Sequence, residues 1–76
     1  MLTKSLHTVT AALNVARECL LVAKDSGRHF EFPASEQLAD AALTILGYPG
    51  LVKSAATDPT VAKIVAGCAK LVAGSK

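Results

Sequence analysis

Between Leu2 and Asp25 the chain carries no glycine and no proline, and its apolar residues keep a strict rhythm. Leu2, Leu6, Val9, Leu13, Ala16, Leu20 and Ala23 are separated alternately by four and three positions. A seven-residue repeat held for about three heptads predicts an α-helix that buries one seam, with Leu13 and Leu20 at its centre. Ala12, Val15, Cys19 and Val22 form a second row beside it. At about 100° per residue the two rows cover roughly half of the helix circumference. Lys4, His7, Thr8, Thr10, Asn14, Arg17, Glu18, Lys24 and Asp25 fall mostly on the other half, with Leu21 among them. Thr3 or Ser5 suits the cap at the start, and Gly27 the position just past the end.

The rest of the chain is read against this helix. Arg28 to Pro33 places Phe30 and Phe32 in alternation with polar residues. A lone segment of that kind has no strand partner, so it is expected to be an ordered loop whose two rings lie over the helical core. Ser35 is a good N-cap and Glu36 puts negative charge in the first turn of a second helix, Ser35 to Leu46. Leu38, Ala41, Ala42, Ile45 and Leu46 recur there at helical spacing, and Gly47 fits the stop. Tyr48-Pro49-Gly50 is a tight connection, and Leu51 to Ala56 is expected to form one or two helical turns. Thr57 and Asp58 precede Pro59, the pattern of a cap followed by proline at the first helical position. A final helix then runs from Pro59 to about Ala73, with Val61, Ile64, Val65, Cys68, Leu71 and Val72 as its apolar stripe. Lys63 and Lys70, with Gly67 between them, take the other face, and Gly74 ends the helix. The expected fold is all-α: one domain, residues 1–76, a compact bundle of three main helices plus a short helical turn.

A domain of 76 residues buries only about 60% of the surface its unfolded chain exposes. Yet 51% of the residues are apolar and the mean hydropathy is +0.41. Many of the apolar positions are alanine, which favours closely approaching helices. The excess of apolar residues over what a tiny core can hide points to self-association or to a hydrophobic partner surface. A net charge of +2 argues against a dedicated nucleic-acid protein, in which clustered Lys and Arg dominate. Cys19 and Cys68 both sit on apolar rows and are expected to be buried free thiols in a reducing compartment. No signal-like core and no apolar run of about 20 residues occurs, so a cytoplasmic protein is expected.

The residues that carry chemistry are few. His7, His29, Cys19 and Cys68 are not paired at the short spacings of a zinc site, so no metal is expected. A nucleophilic cysteine needs a nearby base and an activating environment, whereas Cys19 and Cys68 belong to apolar stripes where a thiol's pKa tends to rise. No glycine-rich phosphate loop occurs either, so neither a catalytic residue nor a cofactor is expected. Pro59 to Lys76 is cationic and amphipathic, as in surface-active peptides, but its capped start fits a helix that closes the bundle. Ile45 to Ala56 resembles the hairpin of helix-hairpin-helix DNA-binding motifs. In those motifs an apolar residue, Pro-Gly, an apolar residue and a second Gly join two helices, and backbone amides hold a phosphate. Val52 stands here in place of the second Gly, and Lys53 alone supplies charge nearby. A plain turn between packed helices accounts for the same residues. Arg17, Lys24, Arg28 and His29 gather at the end of the first helix, where they could meet an anion or serve as ordinary cations offsetting the helix dipole.

By size and elimination the sequence therefore implies a non-enzymatic interaction module. It would bind another protein as an inhibitor, regulator or adaptor, of the kind that phages and other mobile elements encode. A homo-oligomer is expected, most simply a two-fold dimer built on Ala12, Val15, Cys19, Leu21 and Val22, from which Leu21→Glu would release monomers without unfolding. The alternative is an oligomer that sequesters a small anionic ligand such as a nucleotide, and DNA binding through the hairpin is a lesser one.

Overall fold

A computed structural model describes residues 5–27 and 34–74. Leu2, Thr3 and Lys4, the Arg28 to Pro33 loop with its two phenylalanines, and Ser75 and Lys76 lie outside the described residues. Of those described, 83% are helical and none is in a strand, which makes the protein all-α.

The first helix, α1, is Leu6–Asp25. Ser5 has extended backbone angles (φ −68°, ψ 157°), and its side-chain oxygen accepts from the Thr8 backbone N–H at 3.3 Å. Ser5 is one of the two caps the sequence offers, and it sets the start of α1 at Leu6. At the other end Gly27 takes φ +79° and donates to the Lys24 carbonyl at 3.0 Å. Only glycine enters that left-handed region without strain.

The second helix, α2, is Ala34–Ile45. Ser35 therefore lies inside the first turn and is not the cap. The stop is a full Schellman turn: Gly47 at φ +92° donates to Thr44, and Tyr48 donates to Leu43 at 2.8 Å. A five-residue 3₁₀ turn, Val52–Ala56, follows. The Ser54 carbonyl closes it, accepting from the backbone N–H groups of Thr57 and Asp58 at 3.0 and 2.8 Å. The last helix, α3, is Pro59–Gly74. Its cap is Asp58, whose Oδ1 accepts from Thr60 N–H at 2.9 Å and Val61 N–H at 3.4 Å. Pro59 at the first helical position has no N–H to leave orphaned.

The helix α2, rather than the longer α1, is the hub: it packs against α1, α3 and the 3₁₀ turn, while the turn lies chiefly on α3. One cluster forms the core. It takes Val9, Ala12, Leu13 and Ala16 from α1, Leu38, Ala39, Ala42 and Leu43 from α2, and Val61, Ile64 and Cys68 from α3, with Leu46 completing it. Ala16, Ala39 and Ala42 are fully buried, short side chains that let α1 and α2 approach closely. Leu13 is in the core as its place in the seam implies, and Leu20 packs on the core's edge. Leu6 departs from the seam and is 76% exposed, because it stands at the first helical position, a turn beyond Val9. In α2 the buried face is turned from the one the spacing implies. Leu43 and Ala39 are inside, Ile45 is exposed and Ala41 is half-buried.

Gly67 is also misread by spacing alone. It does not share the solvent face of Lys63 and Lys70: a Cβ built on it would lie 3.1 Å from Leu13 Cδ1. The missing side chain is what lets Leu13 of α1 reach the α3 backbone. Gly67→Ala is expected to change stability by less than about 1 kcal/mol, because relief of glycine's helix penalty offsets the crowding of Leu13. Gly67→Leu is expected to cost about 1–3 kcal/mol or more by overpacking. Urea melts of the two variants check this, and equal effects would show that Leu13 does not pack there.

Candidate interaction surface

The core leaves one side of α1 uncovered. Val9, Leu13 and Ala16 define its inner side, and at about 100° per residue Val15 and Val22 project well over 90° away from it. Val15 is 51% exposed and Val22 65%, and Cys19 between them is exposed as well. Ala11, also exposed, continues the row one turn toward the N-terminus. Ala12 does not belong to this surface: it is 4% exposed and part of the core cluster, at the rim of the buried seam of α1. Cys19 is corrected in the same way, from a buried thiol to a surface one. Leu21, 42% exposed, sits about 100° around the helix from Val22, midway between the flank of Arg17 and Lys24 and that of Glu18 and Asp25. The five residues grouped in the sequence thus separate into a surface row of Val15, Cys19 and Val22, an isolated Leu21, and a core alanine.

The polar candidates do not form a described site. Lys24 is exposed and Arg17 half-buried, while Arg28 and His29 lie outside the described residues. Among the described residues no group of three His, Cys, Asp or Glu side chains is placed to hold a metal ion. None of the described helices is long and apolar enough to cross a membrane. The hairpin departs from the DNA-binding motif it resembles, since the element after Pro49-Gly50 is a five-residue 3₁₀ turn with no side-chain cap, not an α-helix.

The two thiols differ sharply. Cys68 is fully buried on α3, and desolvation raises its pKa from 9.0 to about 11. Cys19 lies in the surface row. One thiol per chain is therefore expected to react with a water-soluble disulfide reagent near pH 8, and two in denaturant; fast native modification of both would refute the burial of Cys68. A pH effect follows. The unfolded thiol ionises near 9, while the folded one holds its proton up to about 11. Folding stability from this group is intact below pH 9 and falls as pH rises from 9 toward 11. The total loss is about 2–3 kcal/mol at 1.36 kcal/mol per unit. Cys68→Ala is expected to flatten that part of the stability profile relative to the unmodified protein.

No protein-family model matches the chain, and neither a curated protein nor a solved structure is significantly similar to it.

Proposed function

We propose that this chain is a non-enzymatic helical interaction module that self-associates and acts by occupying a surface of another macromolecule, as an inhibitor, regulator or adaptor. The observation that carries the reading is the row Val15, Cys19, Val22, held in solvent on α1 while the other side of the same helix is packed. An apolar row on a capped, well-supported helix is a preformed surface: docking on it orders no new backbone, so little of the gain is spent on conformational entropy. Helix-to-helix docking through residues spaced three and four apart is the recognition mode such a row fits.

Sedimentation equilibrium at tens of micromolar tests self-association. The expected result is a multiple of 7.8 kDa. A mass of one chain would overturn it and leave the row as a docking face for a foreign partner alone. Affinity capture from the native cell, with Val22→Lys as the control bait, tests the partner. A protein retained equally by both baits would show that the row is not its docking face. Heating the purified protein and analysing the supernatant checks the sequestration alternative, which a stoichiometric ultraviolet-absorbing ligand would favour.

A further inference from the structure

Resting on the self-association proposed above, we infer that the occupant of the α1 row is the outer face of α3 from a second copy, which makes the contact head-to-tail and not two-fold. Charge decides between the two. The Val15–Val22 row is bordered on one flank by Glu18 and Asp25, seven residues apart and both exposed. The α1 cations Arg17 and Lys24 lie on the far side of the helix from the row, and about 80–120° around it from the two carboxylates. A second copy of α1 thus brings neither of these cations to those carboxylates. In an antiparallel pair it does worse. The midpoint between Val15 and Val22 falls beside Glu18, so a two-fold axis through the row's centre sets Glu18 against its own copy. Like charges facing each other across an interface oppose it.

The outer face of α3 offers the complement. Away from buried Val61, Ile64 and Cys68 it presents Ala62, Ala66, Ala69 and Ala73, all exposed. Lys63 and Lys70 border this face, also seven residues apart and exposed. Matching seven-residue spacings let both carboxylates meet both ammonium groups at one register, about 10 Å apart along each helix. The larger side chains of the α1 row then face the short alanines of α3, large against small. The two faces are different patches, so the contact is heterologous. It gives a ring if the rotation closes and a filament if it does not, and species larger than two chains are expected.

Charge reversal on the full chain tests this. Lys63→Glu with Lys70→Glu leaves α1 untouched, and it is expected to weaken self-association at least about tenfold, two unfavourable surface pairs having replaced two favourable ones. Adding Glu18→Lys and Asp25→Lys to the same chain restores both pairs with reversed sign and is expected to restore association. Circular dichroism confirms folding, since all four side chains are exposed. Independently of any variant, association of the unmodified protein is expected to weaken as salt is raised. If the α3 double variant associates as the unmodified protein does, if the fourfold variant is not rescued, or if salt has no effect, the head-to-tail contact is wrong while self-association stands. An unmodified protein that sediments as a single chain overturns both.

Discussion

Leu43→Ala is expected to remove about 2–5 kcal/mol of folding stability, the usual range for truncating a fully buried leucine. For a chain of 76 residues total stability is on the order of 4–11 kcal/mol, so this one change consumes much of it. Leu43 is fully buried and, with Ile64, among the largest of the side chains so enclosed. It also stands at the third residue from the end of α2, where its carbonyl accepts the Tyr48 N–H of the Schellman turn at 2.8 Å. That turn brings half-buried Tyr48 back against the core, so Leu43 is covered by the connection as well as by the neighbouring helices. In urea the midpoint is expected to fall by about 2 M or more, taking a slope of ~1 kcal/mol/M for so small a domain. Ile45→Ala is the control. Ile45 is 48% exposed, and its truncation is expected to cost well under 1 kcal/mol. Equal effects of the two would mean that α2 presents the other face inward.

The contrast between Leu43 and Ile45 shows where the sequence is legible. Helix type, helix number and most caps follow from residues that act locally. Ser5, Gly27, Gly47, Asp58 and Pro59 each act through a backbone group within a few positions, and each acts as its chemistry requires. The inward face of α1 is equally plain over Val9, Leu13 and Ala16, because polar residues occupy much of the other side. In α2 that contrast is weaker. Leu38, Ala39, Ala41, Ala42, Leu43, Ile45 and Leu46 spread over about 200° of the helix, leaving Glu36, Gln37, Asp40 and Thr44 the rest. The apolar arc is wider than one buried face, so spacing admits more than one centre for it. The face that is buried lies roughly 60° from the one implied by Leu38, Ala41, Ala42, Ile45 and Leu46. What selects it is tertiary: α1 on one side, α3 and the 3₁₀ turn on the other, and the return of the chain at Gly47. Gly67 was illegible for a related reason, since its role depends on Leu13 some fifty positions away in the chain. The surface row was partly legible. Val15, Cys19 and Val22 stand out as a second row, but nothing local tells that Ala12 at its edge is covered or that Leu21 belongs to a different flank.

Val22→Lys is expected to abolish self-association at tens of micromolar while leaving the fold intact. Two magnitudes separate these effects. In the single chain Val22 is 65% exposed, so a charged side chain there stays in water, and a surface change of this kind moves stability by about 0.5 kcal/mol or less. The substitution falls in the last turn of α1, where a cation also interacts favourably with the helix dipole. In an assembly the same ammonium group would be trapped in the apolar row between two helices. Its nearest partners are Glu18 and Asp25, four and three positions away on the row's flank, and pairing with them takes those carboxylates from the second copy's lysines. Burying the charge costs several kcal/mol besides, and each 1.4 kcal/mol is tenfold in affinity. A dissociation constant raised by about a hundredfold or more is therefore expected. Leu21→Lys is the comparison that gives the experiment its edge. Leu21 is 42% exposed and adjacent in sequence, but its side chain points about 100° away, between Lys24 and Asp25 and outside the row. It is expected to leave association within a few fold of the unmodified protein. Sedimentation equilibrium of both variants, with matched urea melts, reads the result. If Leu21→Lys gives single chains and Val22→Lys does not, the contact surface lies on the opposite flank of α1, and the row Val15, Cys19, Val22 is not the interface.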